Sequence, residues 1–251
     1  FNIMSISTGL RFTQFNLLGP FDESQYNDQG LFQEIKSFNK NEQVIRFFNP
    51  EPRLGLNLKL SKTSSIKMSY ARIYQYIQNI YNTSTPLPTS RWKISDRYIL
   101  PQKNDTYGFG FYKNFLDLGL EISSEGYYRK TNNNLTFKPG ADFFLSEFLE
   151  REVTQARGKT YGIEFSLRKP NGKFNGFMNY TWSRSLLKTN EESLLARINN
   201  NNWYPSDFDR PHTLNATVNF EGNIYNTFSF NFTGQTGRPF TIANGVLNQE
   251  N

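Results

Sequence analysis

The feature that most constrains the fold is a two-residue alternation of apolar and polar side chains, repeated in pairs of segments that short turns connect. Leucines occupy every second position over residues 54–60, and apolar side chains do so again over 66–70. The polar turn 62–65 lies between these two segments. Successive side chains of a β-strand point to opposite faces, so the pattern predicts an antiparallel hairpin with one apolar and one polar face.

The same hairpin pattern recurs three more times along the chain. The later pairs span residues 107–123, 161–183 and 213–233, and an earlier strand over 2–14 brings the expected number to roughly nine. One pair turns at Pro170-Asn171-Gly172, a sequence typical of tight turns. The turns of the other two pairs are expected near 114–117 and 221–226.

Long polar segments separate the hairpins, and all of them lie at the same strand ends. Each runs to roughly 25–35 residues, whereas connections in compact domains have a median of ~4–6. Outer-membrane barrels combine short periplasmic turns with long extracellular loops. The chain is therefore predicted to be an all-β, antiparallel transmembrane β-barrel segment with four such extracellular loops: 15–50, 78–105, 131–158 and 187–210.

The composition agrees with strands that face lipid on one side. The chain contains 24 Phe and 14 Tyr although its mean hydropathy is −0.64, as expected where only every second side chain faces lipid. No apolar run is long enough for a membrane helix. Aromatic girdles form at membrane–water interfaces. They are expected here from Tyr74, Tyr76, Tyr127, Tyr128, Tyr180 and Trp182.

The strand count predicts an incomplete barrel. Nine is an odd number, and a barrel cannot leave strand edges open in lipid. We therefore expect residues 1–251 to be part of one transmembrane barrel domain, with no plug domain in this chain. A soluble β-sandwich would use short loops at both ends. A soluble carbohydrate-binding β-protein with long loops is an alternative interpretation. Release of the protein into the soluble periplasm without detergent would identify it.

The sequence contains no recognisable catalytic constellation, so we expect no enzyme activity and no cofactor. One His, His212, and no Cys argue against the usual zinc site. Asp207 and Asp209 could join a calcium site, although hydrogen bonds within the turn are the favoured interpretation. The net charge of +6 comes from scattered basic residues, which does not predict nucleic-acid binding.

Candidate ligand contacts lie in the long polar segments. They are Arg91, Trp92, Trp203 and Tyr204, because Trp stacks on sugars or flat chelates and Arg binds acidic groups. Packing of one loop against another explains the same residues equally well. Strand parity predicts that a second set of polar residues faces the lumen: Arg53, Glu121, Glu125, Glu164 and Arg168.

Arg72 does not fit the simple pattern. Its parity with Ile66, Met68 and Tyr70 points it toward lipid. Either a β-bulge reverses the parity or the residue lies at the outer interface, near lipid phosphates.

Several segments resemble the barrel of TonB-dependent receptors. The first is Glu51-Pro52-Arg53, followed by residues 65–76, and it is most similar to the group with an N-terminal carboxypeptidase-regulatory-like domain. Further segments are similar in order and spacing, and together they cover most of the chain: 9–12, Trp92, Pro101-Gln102, 125–130, 158–164, 179–183, 207–212 and 236–240.

The resemblance implies a 22-stranded barrel with an N-terminal plug in the outer membrane of a Gram-negative bacterium. It also implies import of ligands with energy supplied through the TonB complex. Further expected partners are outer-membrane lipid and lipopolysaccharide, and a surface lipoprotein or larger outer-membrane complex. No energy-coupling motif is recognisable in the chain, so active transport rests on the resemblance.

The expected function is import of a bulky nutrient such as a siderophore, glycan or peptide. The first alternative is a structural barrel subunit of a larger outer-membrane assembly that transports nothing. The second is the soluble carbohydrate-binding protein described above.

Overall fold

A computed structural model describes residues 3–27, 31–81, 90–141, 148–193, 197–223 and 225–240. It is built almost entirely of strands, with a short helix α1 (Leu149–Glu152) and a 3-10 turn at Asn199–Asn201. The strands are β1 (Met4–Leu18), β2 (Phe21–Tyr26), β3 (Phe32–Phe38), β4 (Gln43–Lys59), β5 (Ser64–Gln75), β6 (Ile77–Tyr81), β7 (Ser90–Ile94), β8 (Gln102–Phe115), β9 (Leu120–Phe137), β10 (Val153–Lys169), β11 (Phe174–Lys188), β12 (Tyr204–Pro205), β13 (His212–Asn223) and β14 (Asn226–Gln235).

One antiparallel sheet contains the nine long strands, in the order β1-β4-β5-β8-β9-β10-β11-β13-β14. The short strand β12 pairs with β11. Within the described part of the chain, β1 and β14 each have a partner on only one side, so the sheet is not closed. This confirms the expected incomplete barrel. Among the described residues, no helix has the length and apolarity needed to cross a membrane.

The four short connections are confirmed as tight turns between consecutive sheet strands. β4 and β5 are separated by residues 60–63, and β10 and β11 by 170–173. The turn expected near 114–117 lies two residues later, because β8 continues to Phe115. Gly119, the last residue of that turn, has a φ of +59°, a left-handed conformation that glycine adopts without strain.

The long segments are not loops throughout, and here the predicted boundaries were wrong. β1 extends to Leu18 and β4 already begins at Gln43, so the connection between them is residues 19–42. The pairs β2–β3 and β6–β7 are additional hairpins inside two of these segments. Outside the lipid both faces of a strand meet polar surroundings. The apolar alternation therefore ends before the backbone pairing does.

The register confirms two chemically different faces of the sheet. One row of paired residues contains Leu58, Ile66, Phe111, Ser124, Phe165, Tyr180 and Leu214. The adjacent row, on the opposite face, contains Asn57, Lys67, Gly110, Glu125, Glu164, Thr181 and Thr213. We call these the apolar face and the polar face. Large apolar side chains remain exposed on the apolar face, as a lipid-facing surface requires.

A row of four tyrosines crosses the apolar face near the ends that carry the long connections. Tyr70, Tyr107, Tyr128 and Tyr161 are direct cross-strand neighbours in β5, β8, β9 and β10. We call them the tyrosine row, and its position is that of an interfacial girdle.

Two of the expected girdle residues lie elsewhere, so their assignment was wrong. Tyr127 pairs with Gly108 and Gly162 on the polar face. Tyr76 is buried, and its ring stacks on that of Phe15 at a centroid distance of 5.0 Å. Position near a strand end does not determine the face, since neighbouring residues point in opposite directions.

Arg72 lies on the apolar face, as its position in the strand predicts. The β5–β8 register runs without a shift from Ser64 to Gln75, so the β-bulge explanation is wrong. The Arg72 Nε donates to Asp105 Oδ1 at 2.7 Å, and the Tyr70 hydroxyl donates to the same oxygen at 2.8 Å. Its charge is therefore compensated by the residue directly opposite it in β8.

The two faces should respond differently to a charge in the middle of a strand. Phe165, 50% exposed on the apolar face, and Ser166, on the polar face, are adjacent in β10. Phe165→Arg should cost roughly 2–4 kcal/mol because Arg would lie in lipid, whereas Ser166→Arg should cost little. The measurement is the fraction of full-length protein that migrates as folded, heat-modifiable barrel. Equal losses for both variants would contradict the assignment of faces.

Candidate functional site

The long connections pack together beyond the ends of the sheet strands. Ile80, Ile99 and Val153 are buried against one another, so the β6–β7 hairpin and the chain leading to β8 cover the start of β10. Tyr98, Leu135 and Phe137 pack around this small core. A few apolar contacts thus hold polar connections in a defined position.

A polar network ties three of these connections to one another. The Tyr26 hydroxyl of β2 donates to Glu150 Oε1 of α1 at 2.7 Å, and Lys93 Nζ of β7 lies 3.4 Å from Glu150 Oε2. Lys93 also pairs with Asp96 at 3.0 Å. We call Tyr26, Lys93, Asp96 and Glu150 the loop cluster.

The charges of the loop cluster stabilise one another. Burial alone would raise the pKa of the Glu150 carboxyl, but the hydrogen bond from Tyr26 and the charge of Lys93 hold it below its ordinary value. Burial and the neighbouring Glu150 carboxylate raise the pKa of Tyr26. Glu150 is therefore ionised and Tyr26 neutral at physiological pH.

A second buried carboxylate lies where β4 and β5 separate. The pairing of these strands stops at Arg53 and Ala71. Beyond that point the side chain of Glu51, 0% exposed, accepts the backbone N–H of Tyr74 at 2.9 Å and Arg11 Nε at 2.6 Å. The carboxylate thus replaces a backbone acceptor of the ladder.

A groove of about 270 Å³ opens between the polar face and the long connections. Thr131, Thr160 and Ser185 of the sheet form one side of it. The β6 strand and the segment after β12 form the other side, together with residues at the strand ends, and contribute Gln75, Gln78, Asn79, Gln102, Asn134, Tyr204, Ser206, Asp207 and Phe208. Most of these side chains are amides or hydroxyls, and Asp207 carries the charge among the described residues that line the groove.

Two side chains in the groove have unused hydrogen-bonding groups. Gln78 is 5% exposed, and its Nε2 has no hydrogen-bond partner among the described residues. The buried hydroxyl of Tyr204 likewise makes no hydrogen bond of normal geometry with the described part of the chain, and burial raises the pKa of Tyr204. An unsatisfied buried polar group is costly, so a bound ligand that pairs with these groups would gain affinity.

The structure separates the four predicted ligand contacts. Tyr204 lines the groove, whereas Trp92 is 69% exposed on β7. The ring of Trp203 lies beneath the Lys159 ammonium, with Nζ 4.2 Å from the ring centroid. The side chain of Arg91 lies outside the described residues. Sequence reasoning looked for aromatic and charged residues and missed the amides, whose only signal was the run Gln75, Gln78 and Asn79 at a strand end.

Asp209 is engaged by the protein itself. Its Oδ2 lies 3.0 Å from Arg184 Nε, and its Oδ1 accepts the backbone N–H of Ser185 at 2.6 Å. In the described part of the chain, no cluster of three or more His, Cys, Asp or Glu could hold a metal ion. The carboxylate of Asp209 thus binds the neighbouring strand β11 and not its own turn, while Asp207 lines the groove.

The predicted lumen-facing residues share the polar face. Glu125 and Glu164 are directly opposite each other, and Glu121 lies 3.4 Å from Arg168 in an ion pair. Arg53 pairs with Gly9 in β1 on the same face. A second groove of about 530 Å³ lies over this face, further from the long connections.

A family comparison identifies this architecture. The model of the TonB dependent receptor-like beta-barrel matches residues 2–249. The chain belongs to the TonB-dependent receptor family. This family consists of transport receptors of the Gram-negative outer membrane. Because members of this family lie in the outer membrane, the alternative of a soluble carbohydrate-binding protein is excluded.

Two solved structures are similar to this TonB-dependent receptor chain. The FrpB iron transporter from Neisseria meningitidis (F3-3 variant) has 12% identity and a TM-score of 0.55, over 88% of this chain and 28% of that one. The alcaligin outer membrane receptor FauA from Bordetella pertussis has 15% identity and a TM-score of 0.45, over 93% of this chain and 40% of that one. The first likeness supports the fold, and the chain spans well under half of either structure. No curated protein sequence is significantly similar to the chain.

The loop cluster should depend on the charge of Glu150. Its folded pKa is depressed, so its contribution is complete above the ordinary value of 4.5 and is lost as pH falls through the folded pKa. Glu150→Gln should speed hydrogen exchange of backbone amides at 148–153 about five- to tenfold at pH 7, for a loss of ~1 kcal/mol. The difference between the variant and the unmodified protein should decrease as pH falls below 4.5. Glu34→Gln, on the exposed strand β3, is the control. A difference that does not change with pH as the protein is acidified below 4.5 would rule out the charge as its cause.

Proposed function

We propose that the chain forms part of the wall and mouth of a receptor that imports a bulky nutrient by TonB-dependent transport. The observation that carries this proposal is the groove between the polar face and the long connections, where a buried amide, Gln78 Nε2, has no partner among the described residues. Membership of a transport receptor family supports it. The energy would come through the TonB complex, and we expect no catalytic activity.

The chemistry of the groove favours a ligand rich in hydroxyl and carbonyl groups. Amide side chains donate and accept hydrogen bonds, and Thr160 and Ser185 add hydroxyls. Tyr204, Phe137 and Phe208 add flat apolar surface. A glycan, a peptide or an uncharged portion of a siderophore presents the hydroxyl and carbonyl groups that these side chains bind. FrpB is an iron transporter, and for this reason siderophores are one of the ligand classes that we consider for this chain.

Ligand uptake should depend on the groove. In cells that produce the full-length receptor, uptake can be measured for a ferric siderophore, an oligosaccharide and an oligopeptide. For the class of ligand that is transported, Gln78→Ala should raise the ligand concentration that gives half-maximal uptake about tenfold. The reason is that a polar group of the bound ligand would lose its hydrogen-bond partner. Gln25→Ala, in the β2–β3 hairpin, should leave it unchanged. Normal uptake by Gln78→Ala at an equal surface amount would contradict the proposal.

The long connections should face outside the cell. The chain contains no Cys, so single cysteines report their positions without background labelling. Asn202→Cys, in the exposed connection after β11, should react with an impermeant thiol reagent on whole cells. Asn171→Cys, in the short turn after β10, should react only after the outer membrane is opened. The reverse result would invert the topology.

A further inference from the structure

A band of basic side chains crosses the apolar face two residues beyond the tyrosine row. Arg72, Asp105, Lys130 and Lys159 are direct cross-strand neighbours in β5, β8, β9 and β10. Lys103 follows on the same face of β8, opposite Tyr74. These residues lie on the side of the sheet that carries the long connections.

Two acidic side chains near the band form ion pairs with arginines. Asp105 is paired with Arg72, and Asp209 with Arg184. Among the described residues, no ion pair includes Lys103, Lys130 or Lys159. Counting Arg72 with Asp105 and Arg184 with Asp209 as neutral, the three lysines leave the band with a charge of +3. We call these three residues the lysine band.

The position of the lysine band fits the headgroup layer of a membrane. Tyrosine girdles mark the boundary of the hydrocarbon region. Lys130 and Lys159 are two residues from the tyrosine row, about 7 Å along a strand, and Lys103 is four residues from it on β8. The lysines therefore lie outside that boundary, where lipid phosphates are found. Lys159 is held in place there by the ring of Trp203.

We propose that the lysine band binds the phosphate groups of a phosphorylated glycolipid, the lipid A portion of lipopolysaccharide, in the outer leaflet. Charge complementarity supports this occupant, since three ammonium groups that form no ion pair with the described residues face a layer rich in phosphate. Its acyl chains would lie along the tyrosine row and the apolar side chains below it. This site is on the opposite face from the groove, so it is independent of the transported ligand.

The test is binding of bisphosphorylated lipid A to the purified full-length receptor in detergent, followed by native mass spectrometry. The triple variant Lys103→Gln, Lys130→Gln, Lys159→Gln should bind at least tenfold more weakly than the unmodified receptor. The matched control removes the same charge near the short turns, through Lys62→Gln, Lys113→Gln and Lys169→Gln, and should bind normally. Equal binding by the triple variant, or an equal loss in the control, would overturn the proposal.

Two further arms identify the chemical group that is bound. Dephosphorylated lipid A should bind the unmodified receptor weakly. Its affinity should be no higher than that of bisphosphorylated lipid A for the triple variant. Inorganic phosphate at millimolar concentration should fail to displace lipid A; complete displacement would indicate a site for free phosphate and overturn the lipid assignment. If the triple variant does not fold as heat-modifiable barrel, Lys130→Gln alone should still weaken binding two- to threefold, and no weakening would count against the proposal.

Discussion

The backbone hydrogen-bond ladder is the constraint on which the rest of the structure depends. In lipid no water can pair with a free N–H or carbonyl group, so each spanning strand must be paired along its length. The ladder between β5 and β8 runs without a shift over the whole of β5. Because it is continuous, the parity of each side chain is fixed across neighbouring strands. Rows such as the tyrosine row follow directly from that alignment.

Much of the wall could be predicted from the sequence because lipid imposes a two-residue period. The alternation over 54–60 and 66–70 defined the first hairpin, and Pro170-Asn171-Gly172 defined a turn. The strand ends could not be located in this way. At the end of β1 the adjacent residues Leu17 and Leu18 point to opposite faces and are both apolar, so the alternation ends while pairing continues. Adjacent residues such as Tyr127 and Tyr128 differ in face, which only the register decides.

The candidate site was less accessible to sequence reasoning. Tyr204 was among the expected contacts and lines the groove, but Trp92 lies exposed elsewhere. Gln78 and Gln102 are 24 positions apart in the sequence numbering and meet at the groove only because β6 folds back near the start of β8. Common amides carry no distinctive spacing, and the packing of Ile80 on Ile99 and Val153 that positions β6 involves ordinary apolar residues.

The side chain of Glu51 lies at the point where β4 and β5 separate. By accepting the Tyr74 N–H, it ends the β4–β5 ladder without leaving a buried donor unpaired, so β5 can leave its neighbour at that point. Beyond this junction β4 and β5 are no longer in register with each other, although β4 stays paired with β1 and β5 with β8. A receptor built this way can acquire a new mouth, and so a new ligand, through substitutions and insertions in its connections while its lipid-facing strands stay the same.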